Sequence, residues 1–317
     1  MGGRLTVAPP GHDSVLLMAF GGPTRPGEVR AFLDNVLRGK PVPPERLEEV
    51  VRHYEEVGGV SPINRLTFAQ AASLRDRLAR EGPPLPVYVG MRHWAPYIAE
   101  TLVAMAKEGR RRAVGLVLAA HRSMASWEAY LGAVAEGQKG LGDAVPRVDY
   151  VAPWSDHPLF IEAVAARTLE ALQAVPACRR GAAEIVFTAH SIPVEMSRRS
   201  SYAEGVERSA RLTAERLGRG SWSLAYTSRS GNPADPWLEP DLNDALRTLK
   251  TSGARDVVVS PIGFVSDHVE VLYDLDIVAR RTAEELGLGF FRARTAGDHP
   301  AFTDMMAALV HDVGARA

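Results

Sequence analysis

Hydrophobic residues along the chain follow two alternating patterns. Short unbroken apolar runs, rich in Val, Leu and Ile, alternate with longer stretches in which apolar residues recur every three or four positions. Unbroken runs between helical stretches are typical of parallel strands buried on both faces, whereas the longer period is typical of amphipathic helices. The unbroken runs predict strands at 14–20, 86–91, 112–121, 146–154, 183–190, 221–228 and 255–264.

The amphipathic stretches lie between these strands, and several end at glycine, which commonly terminates helices. They predict helices at 27–39, 43–59, 67–82, 97–109, 126–142, 158–175, 202–218, 240–253, 267–287 and 300–314. This alternation indicates the α/β class, with two doubly wound, Rossmann-like parallel-sheet lobes facing a central cleft. A chain of 317 residues suits two domains, which we place at 1–148 and 149–317, with the last helix able to pack back on the first lobe.

Two strand endings resemble each other. "GLVLAAHRS" at 115–123 and "EIVFTAHSI" at 184–192 both end a strand with Ala-His. Two related halves would explain the likeness, but buried strands that run into polar turns also look alike by coincidence. The pattern leaves both explanations open.

Charge and composition exclude several classes of protein. The 37 lysines and arginines nearly balance the 38 aspartates and glutamates, which gives no sign of a nucleic-acid partner. The single cysteine, Cys178, excludes a disulfide framework and a protein-held iron–sulfur cluster, and it fits a reducing cytoplasm. "MGGRLTVAPPGHDS" lacks the apolar core of a signal peptide, and no stretch approaches the roughly 20 apolar residues of a membrane span. We expect a cytoplasmic protein and, because no extension follows Ala317, a monomer.

One strand, "EIVFTAH", ends in a histidine, His190. In open α/β sheets, ligands bind beyond the carboxyl ends of the strands. The apolar residues before His190 predict desolvation, which lowers the pKa of an imidazole and keeps it neutral, ready to accept a proton or bind a metal. A histidine that only stabilises the turn is the structural alternative, and this segment alone leaves it open.

A second segment, "SPIGFVSDHVEVLYDLDIVARR", carries carboxylates on a predicted helix. Glu270, Asp274 and Val278 are four residues apart and therefore share one helical face. Carboxylates one turn apart can guide a divalent cation along that face. Asp267 and Glu270 also have the spacing of a capping box, which is the structural alternative. Capping does not explain Asp274 and Asp276 within an apolar stretch.

Together these motifs resemble the ferrochelatase family, whose members insert ferrous iron into a porphyrin to make haem. The resemblance covers nearly the whole chain and runs through "LLMAFGGP", "VVRHYEEVGGVSPI", "YVGMRHWAPYI", "LVLAAHRS", "TAHSIP", "GNPADPW" and "PIGFVSDHVEVLYDLD". The order and spacing of these motifs are specific, above all those of "TAHSIP" and "GFVSDHVEVLYD". No first strand is followed by G-x-G-x-x-G, which excludes a dinucleotide-binding Rossmann enzyme.

The resemblance implies roles for the residues already singled out. His190 is expected to accept a proton and contact the metal, Glu270 to contact the metal, and Asp274 to be a further metal residue. Val278 stands where some members carry another acid, so the acidic track is shorter here. The resemblance also implies Fe²⁺ and a porphyrin as substrates, no prosthetic group, and a haem-accepting enzyme as a further partner.

The same resemblance places porphyrin contacts in the first half of the chain. Phe20, Met91 and Trp94 are expected to form apolar walls, with plain core packing as the alternative. Arg38 and Ser61 are expected to contact propionates, because guanidinium and carboxylate pair strongly; a solvated surface position is the alternative for Arg38. Phe20 stands where many small bacterial members have tyrosine, so axial ligation of haem iron from this position is not expected.

The cations near the first helices bear on the choice of porphyrin. The stretch from 23 to 58 is short, and Arg25, Arg30, Arg38 and Lys40 lie in it. Coproporphyrin III carries four propionates and protoporphyrin IX two, so these cations favour coproporphyrin III. Two alternatives stay open: a cobalt or nickel tetrapyrrole chelatase of the same fold, with His268 as its second metal histidine, and a non-catalytic porphyrin- or haem-binding protein.

Overall fold

The computed structural model describes residues 11–39, 42–82, 84–230 and 235–315. Within them the chain forms the strands β1 (Ser14–Ala19), β2 (Val87–Met91), β3 (Arg112–Val117), β4 (Arg147–Tyr150), β5 (Glu184–His190), β6 (Ser223–Thr227), β7 (Asp256–Ser260) and β8 (Gly289–Arg292). The α-helices are α1 (Val29–Leu37), α2 (Pro44–Glu56), α3 (Ile63–Ala79), α4 (Ile98–Lys107), α5 (Ala129–Gln138), α6 (Pro158–Ala174), α7 (Val194–Ser200), α8 (Tyr202–Arg216), α9 (Leu242–Thr251), α10 (Arg280–Glu285) and α11 (Pro300–Ala315). Lys40, residues 231–234 of "GNPADPW" and both chain termini, 1–10 and 316–317, lie outside the described residues.

The chain divides into two compact units. The first comprises residues 1–119, 125–153 and 297–317, as far as they are described, and the second comprises 120–124 and 154–296. The predicted join after residue 148 lies inside the first unit, because the Val151 N–H donates to the Gly115 carbonyl and extends the pairing of β4 with β3. Helix α11 belongs to the first unit, where it packs against α3 and β3.

The first unit is built on a four-stranded parallel sheet in the order β2-β1-β3-β4. Every residue of β1 is buried, and Leu17 on this strand pairs with Val89 on one side and Leu116 on the other. Because β1 lies between two strands with helices over its faces, its sequence is apolar throughout rather than alternating.

The second unit is built on a parallel sheet in the order β6-β5-β7-β8. The two inner strands, β5 and β7, are buried along nearly their whole length. The sequence pattern does not predict β8, a four-residue strand at the sheet edge with no fully buried residue. Nor does it predict α7, whose seven residues are too few to show a helical period.

The helical segment after β7 differs from the regular α-helix predicted over 267–287. It begins at Val269, runs as a π-helix over Val271–Ala279 and continues as α10. A π-helix bonds each residue to the fifth along the chain instead of the fourth, and such segments are frequent at functional sites. Glu270 therefore stands at the start of an irregular helix. None of the helices in the described ranges is long and apolar enough to cross a membrane.

Candidate active site

His190 is the last residue of β5, at the carboxyl edge of the second sheet. Its partner on β6 is Thr227, the last residue of that strand. The Nδ1–H of His190 donates to the Ser191 carbonyl, because a carbonyl oxygen can only accept. The buried Tyr202 hydroxyl donates to the His190 carbonyl at 3.0 Å. These bonds fix the backbone and the tautomer, and Nε2 is left as the nitrogen that gains or loses a proton.

Glu270 supplies the carboxylate that faces this ring. Its Oε1 lies 3.7 Å from His190 Nε2, and its Oε2 lies 3.9 Å from His268 Nδ1. Both distances are longer than a direct hydrogen bond. Divalent ions of the zinc type bond to imidazole nitrogen and carboxylate oxygen at about 2.0–2.2 Å, so one such ion can contact His190 and Glu270 together.

The carboxylate of Glu270 favours the protonated form of His190, and His190 favours the ionised form of Glu270. Burial by itself lowers the pKa of His190, but the Glu270 carboxylate and the Ser191 carbonyl outweigh it, so that the pKa is raised. The predicted downward shift of the His190 pKa is therefore wrong in its net direction: desolvation acts as predicted, but the carboxylate outweighs it. Partial burial would raise the pKa of Glu270, whose side chain is 46% exposed, but attraction to His190 holds it at about 2. Burial lowers the pKa of His268, which therefore stays neutral.

This charge arrangement predicts how His190 titrates. In the porphyrin-free protein, its midpoint should lie above the ordinary value of 6.5. Glu270→Gln should lower that midpoint, because the attracting anion is gone while burial remains. Imidazole NMR signals followed against pH measure both values. His53 on α2, whose pKa is lowered mainly by its own burial, should titrate alike in both proteins. A wild-type midpoint below 6.5, or one that Glu270→Gln leaves unchanged, would contradict the arrangement.

Asp274 lies in the π-helix, four residues after Glu270. The Ser228 hydroxyl, at the end of β6, donates to its Oδ2. Burial raises the pKa of Asp274 to about 6, with the Ser228 hydrogen bond opposing this shift and the Glu270 charge reinforcing it. Asp274 is thus a mostly ionised carboxylate at neutral pH, electrostatically coupled to the His190–Glu270 pair.

The remaining acids of this segment have a structural partner. Arg292 of β8 donates to Asp267 at 3.0 Å and to Asp276 at 2.7 Å. Asp267 therefore joins the start of the helix to the sheet edge, and it does not form a capping box with Glu270. The same guanidinium explains why Asp276 is tolerated in an apolar stretch.

The predicted metal residues do not form a closed site. In the described ranges, no group of three His, Cys, Asp or Glu side chains is placed to hold a metal ion. His190 and Glu270 form a close pair, and Asp274 follows along the helix. An ion held by two protein atoms keeps most of its coordination positions for other ligands. Such a site suits an ion that is handed on as a substrate.

The predicted aromatic and sulfur contacts belong to the first unit. Phe20 directly follows β1, is 37% exposed, and its ring centroid lies 4.4 Å from that of His93. Trp94 is partly exposed, and its ring centroid lies 6.1 Å from that of Phe32. Met91, the last residue of β2, is fully buried and packs in the core of the unit. Phe20 and Trp94 thus keep accessible surface, whereas Met91 has the surroundings of a core residue.

The two predicted propionate contacts differ in exposure. Arg38 follows α1, is exposed, and donates to the Asn35 side-chain oxygen at 2.6 Å. Ser61 is buried, and its backbone N–H donates to the Pro23 carbonyl at 2.9 Å. Arg38 is therefore accessible from solvent, whereas Ser61 holds the loop that follows β1.

Two of the other predicted cations are already paired. Arg25 binds Glu28 on the next turn at 2.7 Å. Arg30 of α1 donates to both carboxylate oxygens of Glu48 of α2 from its two terminal guanidinium nitrogens, Nη1 and Nη2. These pairs reduce the positive charge that this stretch offers to propionates, so Arg38, which contacts a neutral amide, is the stronger candidate.

Three supporting residues were not predicted from the sequence: Tyr202, Ser228 and Gly263. Gly263 follows β7, and its N–H donates to the Thr188 carbonyl at 3.0 Å. A Cβ on Gly263 would lie 2.4 Å from the Cβ of Ala189, the residue before His190. A glycine in the turn three residues after a buried strand is a recognisable sign of close backbone approach. The roles of Tyr202 and Ser228 depend on long-range contacts and leave no such sign.

Comparisons with known proteins agree on family and fold. The family model described as Ferrochelatase matches residues 12–313. A coproporphyrin III ferrochelatase from Mycobacterium leprae (strain Br4923) is 42% identical over 304 residues, which cover 95% of this chain and 89% of that protein. A ferrochelatase from Rhodopirellula baltica is 40% identical over 304 residues, covering 96% of this chain and 86% of that protein.

Among solved structures, the sirohydrochlorin chelatase SirB from Bacillus subtilis subspecies spizizenii, in complex with cobalt, matches with a TM-score of 0.57 at 10% identity. The match covers 96% of each chain. At this identity the likeness concerns the fold alone. The predicted α/β class, with two parallel sheets, is confirmed.

Proposed function

The chain belongs to the ferrochelatase family of metal–porphyrin chelatases, and on that premise we propose that it inserts Fe²⁺ into coproporphyrin III. The observation that carries the proposal is the His190–Glu270 pair, with 3.7 Å between Nε2 and Oε1 and with Nδ1 held by a carbonyl. The pair places one titrating nitrogen, His190 Nε2, and one anionic oxygen, Glu270 Oε1, where a single ion or substrate atom can contact both. Relatives about 42% identical over most of the chain that are coproporphyrin III ferrochelatases support the choice of porphyrin.

Insertion requires that two pyrrole N–H protons leave the macrocycle while the cation loses part of its hydration shell. The Glu270 carboxylate is suited to hold the cation, and His190 Nε2 to accept a proton. In the substrate-free protein, attraction to Glu270 favours the protonated ring. A cation at Glu270 would remove that attraction and lower the pKa of His190. We infer that arrival of iron would release the Nε2 proton of His190 to solvent and leave the ring as a neutral base, ready to accept a pyrrole proton.

The porphyrin is identified by anaerobic metalation. Purified protein is mixed with Fe²⁺ and either coproporphyrin III or protoporphyrin IX, and the loss of free-base fluorescence is followed. We expect kcat/KM to be at least about 10-fold higher for coproporphyrin III, because its additional propionates can pair with cations such as Arg38. Equal or faster turnover of protoporphyrin IX would contradict the proposed substrate. Co²⁺ with sirohydrochlorin is the comparison for the alternative chelatase activity.

We propose that the reaction needs no prosthetic group and takes place in the cytoplasm. One cysteine, Cys178, cannot hold an iron–sulfur cluster, and it is exposed and free. A monomer that passes its product to a haem-accepting enzyme remains our proposal for the assembly. Metal analysis of the purified protein and its mass in solution test these statements.

A further inference from the structure

Ser228 has a rare backbone conformation. Its φ is +64°, in the left-handed region that residues other than glycine seldom adopt. Across the described ranges, Ser201, with φ of +52°, is the one other non-glycine residue with a positive φ. Glycine would adopt this conformation at position 228 with less strain. The advantage of serine at this position must therefore come from its side chain.

The hydroxyl of Ser228 reaches the segment that carries the metal residues. It donates to Asp274 Oδ2 and lies 3.2 Å from Thr227 Oγ1. Thr227 in turn pairs with His190 across the sheet. The strand end that lies beside the catalytic imidazole thus also holds the next carboxylate along the π-helix.

A hydrogen bond to one carboxylate oxygen selects one rotamer and leaves the second oxygen for another partner. Asp274 lies four residues after Glu270 on the same helical segment, so a cation at Asp274 would lie next along the helix from the His190–Glu270 pair. Without the hydroxyl, the Asp274 carboxylate would rotate freely. Binding a cation would then cost the conformational entropy of that rotation, so the cation would bind less tightly.

We propose that Ser228 is a positioning residue for metal entry, which holds Asp274 by Oδ2 so that Oδ1 is presented to a divalent cation moving towards Glu270. The inference rests on the proposed function and adds a residue to it. Proton transfer to His190 does not pass through this hydrogen bond. Its loss should therefore impair metal capture and spare the chemical step.

Three single variants distinguish the effect of the Ser228 hydroxyl from the effect of backbone strain. Ser228→Gly removes the hydroxyl and relieves the backbone, Ser228→Ala removes the hydroxyl and keeps the strain, and Ser201→Gly relieves strain elsewhere. We expect both Ser228 variants to raise KM for Fe²⁺ by about 3–10-fold, the effect of one hydrogen bond, with kcat and KM for coproporphyrin III within about two-fold. Ser201→Gly should match the wild type. In a protein that already carries Asp274→Asn, adding Ser228→Gly should not raise KM for Fe²⁺ any further.

An unchanged KM for Fe²⁺ in Ser228→Gly, or an equal loss in the Asp274→Asn background, would overturn the inference. Calorimetric titration of the porphyrin-free protein with Co²⁺ alone gives a second readout, in which Ser228→Gly should weaken binding by the same factor. If the wild type binds Co²⁺ but metalates neither porphyrin, the proposed function fails, and the Co²⁺ affinities of the variants still decide the role of Ser228.

Discussion

His190→Ala is expected to lower kcat for iron insertion by about 10²–10⁴-fold, the usual effect of removing a general base. The Nδ1–H of the ring is committed to the Ser191 carbonyl, and the Tyr202 hydroxyl holds the His190 backbone, so Nε2 is the nitrogen left to accept a proton. His268 is neutral, but its Nδ1 faces the other oxygen of Glu270. Stopped-flow loss of porphyrin fluorescence at saturating Fe²⁺ measures the change.

Two further variants make this result specific. Glu270→Gln keeps the shape and removes the anion, so it should lower kcat/KM by about 10²–10³-fold. His311→Ala is the matched control, because His311 also faces a glutamate, Glu81, at 2.9 Å but lies in the first unit. The kcat and kcat/KM of His311→Ala should stay within about two-fold of the wild-type values. If His190→Ala kept a tenth or more of the wild-type rate, the role of proton acceptor would have to be given up.

Gly263→Ala is expected to destabilise the second unit by about 1–3 kcal/mol, the range for overpacking a buried site. The added Cβ would lie 2.4 Å from the Cβ and 2.6 Å from the Cα of Ala189. The backbone of β5 cannot rotate away as a flexible side chain would, so strand and turn must separate. The unfolding midpoint should fall by roughly 2–12 °C, as calorimetry can measure.

The same shift should reach the active site, since Ala189 precedes His190 on β5. We therefore expect Gly263→Ala to lower kcat in the protein that stays folded. Gly220→Ala is the matched control, because Gly220 lies in the same unit with nothing within 4 Å of its added Cβ. It should change stability by less than about 0.5 kcal/mol. A Gly263→Ala protein as stable as this control would show that the turn after β7 is not tightly packed.

The sequence predicts the regular part of the fold well. All seven predicted strands exist, and the apolar signal is continuous in the four inner strands, β1, β3, β5 and β7, which are buried along nearly their whole length. The edge strand β4 has no buried residue of its own, but the predicted run continues to the buried Val151 and Trp154, whereas β8 is a four-residue edge strand with no fully buried residue. The π-helix over Val271–Ala279 was predicted as α-helix, since the two forms share composition and differ only in which carbonyl each N–H reaches.

The candidate site is predicted less completely. Motif resemblance selects His190 and Glu270, and the structure brings them to 3.7 Å. The direction of the His190 pKa shift could not follow from the strand alone, because it depends on a carboxylate from another element. The same holds for Arg25 and Arg30, which look available in sequence but are neutralised by glutamates in the fold. Local sequence patterns indicate which residues are buried. The ion-pair partners and pKa shifts of individual side chains depend on tertiary contacts that such patterns do not contain.

The placement of α11 in the first unit has a consequence for synthesis of the chain. Residues 302, 305, 306 and 310 of this helix are buried within a unit whose other segments lie before Trp154. A ribosome adding 5–20 residues per second makes α11 roughly 10–30 s after those segments. The second unit is complete before the first can close. For that interval the nascent chain exposes the apolar surface that α11 later covers. We expect chaperones to bind the nascent chain mainly during this interval.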